Sequence, residues 1–187
     1  MTSPRIFVAI CLLFLSACGG GEKPWFADFN EVRETYGLSD APLPMQPLRN
    51  APNISVGLEE NDNNAHFIWP AQGKLLAGFG AQEGGLHNDG INIALPPGSP
   101  VHAIASGHVV YVGNELKGYG NLLLIAHAGN WVSAYAHNGE ILVRRGDMVV
   151  QGDVVARSGS SGNVAEPQLH FELRRGSRAV DPMQYMG

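Results

Sequence analysis

The chain has 187 residues, with 12 Lys and Arg against 17 Asp and Glu, and a formal net charge of −5. This length accommodates one domain plus appendages, and the hydrophobic content of 44% is typical of a globular core. The acidic balance argues against a nucleic-acid-binding protein. Two cysteines are too few for a disulfide framework or a four-cysteine zinc site. The 24 glycines and 12 prolines indicate many turns and therefore a β-rich fold.

The N-terminus has the pattern of an export signal. Arg5 precedes an apolar run over residues 6–17, which is shorter than the roughly 20 residues of a membrane-spanning helix. A positive start, a short apolar stretch and small residues before a cleavage site describe a signal peptide. The run ends in Leu-Ser-Ala-Cys, which resembles the lipobox of bacterial lipoproteins.

We therefore predict a signal peptide over residues 1–17 and lipidation of Cys18, which would anchor the protein to a membrane. An ordinary cleaved signal with a chance cysteine is the alternative. Gly19 is not the aspartate associated with inner-membrane retention in such lipoproteins, so the resemblance implies the periplasmic face of the outer membrane.

Residues 19–65 are polar and rich in proline. This composition is typical of an extended, semi-rigid spacer rather than a packed domain. We predict a tether over these residues, followed by one folded domain over residues 66–187.

The domain is predicted to be all-β, because apolar residues alternate with polar ones between closely spaced turn residues. Residues 101–105 and 108–112 are predicted to pair around a Ser-Gly turn. Residues 122–127 and 131–136 are predicted to form a hairpin across Gly129-Asn130. Further short strands are predicted at 141–143, 148–150 and 154–156.

A last strand is predicted over residues 168–174, where polar and apolar side chains alternate without a break. Successive side chains of a strand point to opposite faces of the sheet. The apolar face would carry Leu169, Phe171 and Leu173, and the polar face Gln168, His170, Glu172 and Arg174. His137 is predicted to share a strand face with Trp131, Ser133 and Tyr135.

Five motifs of this domain resemble, in order and spacing, those of the lysostaphin-type (LytM-domain) zinc metallopeptidases. They are GINIALPPGSPV (90–101), GYGN (118–121), YAHN (135–138), GSSG (159–162) and QLHFE (168–172). The resemblance implies a fold of duplicated, antiparallel β-sheets. Active members cut the cross-linking peptides of bacterial cell walls. They hold zinc with a His, an Asp four residues later and the second His of a His-x-His motif, while the His of Tyr-x-His and the first His of His-x-His assist catalysis.

Carried over residue by residue, the resemblance places the three zinc positions at Asn88, Asn92 and His170, and the two catalytic positions at His137 and Gln168. A catalytic zinc needs three protein ligands and an open position for water, and a neutral amide lacks the charge of a carboxylate. Two of three ligands and one of two catalytic histidines are therefore replaced. We predict no cofactor and no intact catalytic site, which favours a protein that is not an enzyme.

One alternative restores a metal site. His87 and Asp89 flank the lost ligand position, and a bulge or turn could bring either into register. A rebuilt His87, Asp89 and His170 site would bind zinc. If no such metal site forms, the Asn-Asp-Gly stretch at 88–90 is simply a turn, in which asparagine, aspartate and glycine are favoured.

The loss of ligands resembles the division-associated branch of the family, the NlpD and EnvC type. The resemblance implies a non-catalytic envelope lipoprotein that binds and activates a periplasmic N-acetylmuramoyl-L-alanine amidase acting on peptidoglycan during daughter-cell separation. The predicted binding groove is lined by Asn88, Asn92, His137, Gln168 and His170. Two alternatives stay open: a zinc endopeptidase that cleaves peptidoglycan cross-links, and a peptidoglycan-binding module without effect on amidases.

Overall fold

The computed structural model describes residues 66–116 and 118–187. The predicted signal peptide, Cys18 and the predicted tether lie outside the described residues. Within those two ranges there are no α-helices, only three 3₁₀ turns and twelve strands. The strands are β1 Lys74–Ala77, β2 Gly80–Ala81, β3 His87–Asn88, β4 Ile91–Ala94, β5 Pro100–His102, β6 Gly107–Gly113, β7 Asn121–His127, β8 Trp131–Ile141, β9 Met148–Val149, β10 Val154–Ser158, β11 Gln168–Arg175 and β12 Arg178–Val180.

Ten of these strands form one sheet, and β2 and β3 form a separate two-stranded sheet. The main path runs β1-β4-β11-β8-β7-β6-β9, while β10 joins β5 to β8 and β12 pairs with β11. Every pairing between the described strands is antiparallel. The predicted all-β, antiparallel fold is confirmed.

Strand β11 lies between β4 and β8 and separates two buried regions. Its apolar residues Leu169, Phe171 and Leu173 are fully buried in the larger hydrophobic core, as the alternation predicts. The opposite face is also buried, because His170 and Glu172 are 0% exposed. Antiparallel register places His170 opposite Asn92 on β4 and opposite Ala136 on β8, so three neighbouring strands supply one polar site.

The hairpin predicted at 122–127 and 131–136 is confirmed. Strands β7 and β8 pair in antiparallel register and are joined by the 3₁₀ turn Ala128–Asn130. Gly129 and Asn130 have φ angles of 69° and 60°, in the left-handed region that glycine and asparagine tolerate best.

The pairing predicted between residues 101–105 and 108–112 is wrong. Strand β5 pairs with β10, whereas β6 pairs with β7 and β9. The backbone between β5 and β6 is directed to other partners, since the Ala103 amide donates to Asp153 O at 2.9 Å and the Ile104 amide donates to the Tyr135 hydroxyl at 3.1 Å. The strand predicted at 141–143 is also wrong, because Ile141 ends the long strand β8.

His127 at the end of β7 is part of a hydrogen-bonded chain. Its Nδ1 lies 3.0 Å from the Ser106 carbonyl and its Nε2 lies 2.7 Å from Ser133 Oγ; the Tyr135 hydroxyl lies 3.1 Å from the same oxygen. Because Nδ1 faces a carbonyl, it donates to that carbonyl. Burial of the ring lowers the pKa of His127 to about 4.

Candidate functional site

Three amide side chains on neighbouring strands form a continuous hydrogen-bond chain, which we call the amide chain (Asn88, Asn92 and Gln168). Asn88 Nδ2 donates to Asn92 Oδ1 at 2.9 Å, and Asn92 Nδ2 donates to Gln168 Oε1 at 2.8 Å. Asn88 is buried, while Asn92 and Gln168 are half-buried. These are three of the five positions that the resemblance assigns to metal binding and catalysis.

His170 lies beneath the amide chain, in contact with it and with an acidic group. Its Nδ1 is 3.3 Å from Asn92 Oδ1, and its Nε2 is 3.1 Å from Glu172 Oε1. The ring is fully buried. Both nitrogens of the retained histidine are thus occupied by neighbouring oxygen atoms.

Glu172 is the centre of a buried charge cluster. Its Oε1 accepts from the Tyr119 hydroxyl at 3.0 Å, and its Oε2 contacts Arg174 Nη1 at 2.7 Å. Burial alone would raise the pKa of Glu172, but the hydrogen bond and charge of His170, together with the charge of Arg174, hold it below its usual value. Arg174 also contacts Asp89 Oδ2 at 3.6 Å, which extends the cluster toward the surface.

Tyr119 closes the site from the loop that precedes β7. Burial raises the pKa of its hydroxyl far above the usual value, and the negative charge of Glu172 raises it further. The hydroxyl therefore stays protonated and donates to Glu172. Its backbone carbonyl accepts from the His137 amide at 2.9 Å, which ties this loop to β8.

His137 lies in the site, but not on the strand face that the sequence predicted for it. Its φ angle is 63°, which breaks the strand alternation and turns the ring away from the Tyr135 face. The ring centroid lies 6.1 Å from that of His170, and Nδ1 lies 2.9 Å from the Ser161 carbonyl. Burial and the neighbouring His170 lower the pKa of His137 to about 4, so the ring is neutral at neutral pH. The predicted strand face of His137 is wrong. The ring nevertheless lies beside that of His170, so the two histidines share one site.

The stability of the domain is expected to fall in acid because His127 and His137 are held neutral. Their folded pKa values of about 4 lie below the usual 6.5, so the unfolded chain binds protons that the folded chain excludes. The contribution of these two histidines to stability is therefore complete above pH 6.5 and decreases toward pH 4, by about 2–3 kcal/mol per residue. Urea unfolding across this window measures the slope. His127→Gln should lower the slope by about half, while His66→Gln, at an exposed position, should leave it unchanged; equal slopes in all three proteins would contradict the assignment.

His87 and Asp89 do not complete a metal site with His170. His87 Nε2 contacts Asp89 Oδ1 at 3.4 Å, and half of the His87 side chain is exposed. The His87 ring packs against Phe79 at 5.7 Å, while Asp89 is directed to Arg174. Among residues 66–116 and 118–187, no three His, Cys, Asp or Glu side chains are grouped so that they could hold a metal ion.

The residues at the predicted zinc positions do not fit a zinc ion. A catalytic zinc requires three ligand atoms that direct lone pairs at one point. Here Asn92 Oδ1 already accepts a hydrogen bond from Asn88 Nδ2 and contacts His170 Nδ1. The other ring nitrogen of His170, Nε2, faces Glu172 Oε1. The arrangement leaves the amide groups of Asn92 and Gln168 half-buried, where they can donate and accept hydrogen bonds.

Tyr119, Glu172 and Arg174 were not assigned as site residues from the sequence. The alternation of β11 places Glu172 and Arg174 on the His170 face, which is the signal that could have found them. Tyr119 belongs to a loop in a recognised motif, but its hydrogen bond to Glu172 spans 53 positions of the sequence. No local pattern predicts such a contact.

The sheet order and the site are those of a metallopeptidase-like β domain. Residues 86–182 match the family described as Peptidase family M23, and the chain belongs to that family. The catalytic domain of lysostaphin from Staphylococcus simulans is similar in structure, with a TM-score of 0.57 and 33% sequence identity. That similarity covers 60% of this chain and 90% of the lysostaphin domain.

Two bacterial proteins are similar in sequence. The murein hydrolase activator NlpD of Escherichia coli (strain K12) is 47% identical over 118 residues, which cover 63% of this chain and 30% of NlpD. The lipoprotein YgeR of the same strain is 42% identical over 120 residues, which cover 64% of this chain and 47% of YgeR. The aligned part of this chain thus spans less than half the length of either relative.

Proposed function

We propose that this chain is a non-catalytic M23-domain lipoprotein of the cell envelope that binds and activates a peptidoglycan amidase. The observation that carries the proposal is the amide chain, whose residues occupy positions that the resemblance assigns to two zinc ligands and one catalytic histidine. The name of the relative NlpD, a murein hydrolase activator, supports it. We also propose that the protein acts during cell-wall remodelling and daughter-cell separation.

The proposed contact surface is the groove lined by Asn88, Asn92, His137, Gln168 and His170. Asn92 and Gln168 are half-buried and are the members that a partner could touch. His137 and His170 are 2% and 0% exposed, so their contribution would be to support the amide groups from beneath. This arrangement favours a partner that offers polar backbone or side-chain groups to two amides.

The proposed location is the periplasmic face of the outer membrane, with the lipid on Cys18 as the anchor, residues 19–65 as the tether and residues 66–187 as the M23 domain. The names of relatives support a lipoprotein, including an outer membrane antigenic lipoprotein of Haemophilus influenzae. Within the part of the chain that the structure describes, no helix is long and apolar enough to span a membrane.

An amidase assay with purified peptidoglycan tests the proposal. The full chain alone should release no soluble peptide, and adding it to a periplasmic N-acetylmuramoyl-L-alanine amidase should raise the release of stem peptides. Gln168→Trp should reduce the activation, because the bulky ring blocks the accessible rim of the groove. Gln184→Trp, at an exposed position in the C-terminal 3₁₀ turn, is the matched control and should activate normally.

Each alternative predicts a different result in the same assay. Chelator-sensitive cleavage of cross-links by the chain alone would establish a zinc endopeptidase. Sedimentation with peptidoglycan without any effect on the amidase would establish a binding module. Full activation by a folded Gln168→Trp variant would place the partner surface elsewhere on the domain.

A further inference from the structure

We infer that the acidic run just before the domain (residues 59–64) docks on a basic β-hairpin at one end of the sheet (residues 175–178). The docked run fixes where the preceding chain leaves the domain, at the end of β11 that lies away from the amide chain. The inference goes beyond the proposed function and does not depend on a partner protein.

Two arginines flank the tight turn of the basic hairpin. Arg175 ends β11 and Arg178 begins β12, and the antiparallel register places the two residues directly opposite each other. Both residues are exposed. Like charges directly opposite on neighbouring strands destabilise the pairing. A carboxylate beside both guanidinium groups relieves this repulsion, so the hairpin favours an anionic occupant.

The basic hairpin is held beside the first residues of the domain. The Arg175 guanidinium lies over the buried Trp131 ring, with Cζ 5.4 Å from the ring centroid. The Phe67 ring packs against the same indole, at 5.3 Å between centroids. The Gly176 amide donates to the Asn130 carbonyl at 2.8 Å, which ties the turn to the hairpin of β7 and β8. One aromatic ring therefore separates the Arg175 guanidinium from the Phe67 ring.

The point where the chain enters the domain is fixed by hydrogen bonds at this same end of the sheet. The His66 carbonyl accepts from Gln151 Nε2 at 2.8 Å. The Phe67 carbonyl accepts from the Gly187 amide at 3.1 Å, and the Phe67 side chain is buried. The preceding residues therefore extend from a defined position next to the basic hairpin.

The acidic run has the charge and the reach that the hairpin requires. Residues 59–64 read Glu-Glu-Asn-Asp-Asn-Asn, and no Lys or Arg occurs between Arg49 and Lys74. The run therefore has no positive charge close to it in the sequence. Asp62 precedes His66 by four residues, and four residues of extended chain reach up to about 14 Å. The carboxylates of the run can thus meet the guanidinium groups of the hairpin.

Docking at this end directs the preceding chain away from the amide chain. Gln168 begins β11 and Arg175 ends it, and a strand rises about 3.3 Å per residue, so the two positions are about 23 Å apart. With the acidic run on the hairpin, residues 59–65 lie at the far end of β11 from Gln168. This placement leaves the half-buried amides open.

Cleavage of the full chain by a glutamate-specific protease tests the docking. The bonds that follow Glu59 and Glu60 are measured, and cleavage after Glu22 in the same molecule is the reference. Cleavage of the run should be about threefold to fivefold slower in the unaltered chain than in the double variant Arg175→Gln and Arg178→Gln, because the rate follows the undocked population. Raising the salt to about 1 M should remove the difference, since the screening length falls to about 3 Å.

Two further variants separate docking from general effects of charge and folding. The double variant Arg144→Gln and Arg145→Gln removes the same number of positive charges from an exposed segment before β9, and it should keep the slow cleavage. Asp62→Asn changes no residue of the domain and should speed cleavage after Glu59 and Glu60 by about twofold. This variant keeps the test independent of how the hairpin folds.

Two results would overturn the inference. One is equal cleavage of the acidic run in the unaltered chain, in the Arg175→Gln and Arg178→Gln variant and in Asp62→Asn. The other is binding to phosphatidylglycerol vesicles, but not to phosphatidylcholine vesicles, that the arginine variant loses while its cleavage stays unchanged. The hairpin would then bind anionic lipid in place of the acidic run.

Discussion

Glu172→Ala is expected to lower the free energy of unfolding by about 3–5 kcal/mol. The substitution removes the acceptor of His170 and Tyr119 and the partner of Arg174, all three of which are buried. The Arg174 guanidinium would then lose its 2.7 Å contact with a carboxylate, and the Tyr119 hydroxyl would lose its buried acceptor. Urea unfolding at neutral pH, followed by circular dichroism, measures the change.

Two further variants separate charge from packing in this result. Glu166→Ala removes a carboxylate from an exposed position two residues before β11 and should change the free energy of unfolding by less than about 0.5 kcal/mol. Tyr119→Phe removes one neutral donor to Glu172 and should cost about 1 kcal/mol. A Glu172→Ala protein as stable as the Glu166→Ala protein would contradict the buried charge cluster.

The double variant Asn88→His and Asn92→Asp is expected to bind zinc, whereas the unaltered chain is not. The two substitutions restore the ligand types that active family members carry at these positions, and His170 supplies the third. A carboxylate and an imidazole provide the charge and lone pairs that two amides lack. Elemental analysis after dialysis should find about one zinc ion per chain, and added zinc should raise the Tm of the double variant.

The single variant Asn88→His is the control, because it leaves an amide at position 92 and only two ligands. It should lose zinc on dialysis. A folded double variant that retains no zinc would show that the site differs from that of active members by more than its ligands, and it would argue against the residue-by-residue assignment of Asn88 and Asn92.

Local sequence patterns were sufficient for the fold class and for the family. Alternation with period two along residues 168–174 and the hairpin across Gly129-Asn130 depend on neighbouring residues, and both are confirmed. The order and spacing of five motifs indicated the family, and residues 86–182 match it. The assignment of Asn88, Asn92 and Gln168 as substituted positions stays a prediction from the resemblance, made because a residue type at a motif position is read directly from the chain.

The tertiary structure alone decided which strands pair, how the rings face and where the charges lie. β5 pairs with β10 rather than β6, because the backbone of residues 103–104 bonds to distant groups. His137 turns toward His170 through one left-handed residue, which no alternation pattern predicts. The direction of the amide chain and the burial of Glu172 with His170 and Arg174 depend on contacts between strands that are far apart in sequence. The sequence by itself determined the class of fold and the family, while the tertiary structure decided how the side chains at positions 88, 92, 168 and 170 bond to one another, because hydrogen-bond direction and burial are properties of the assembled sheet.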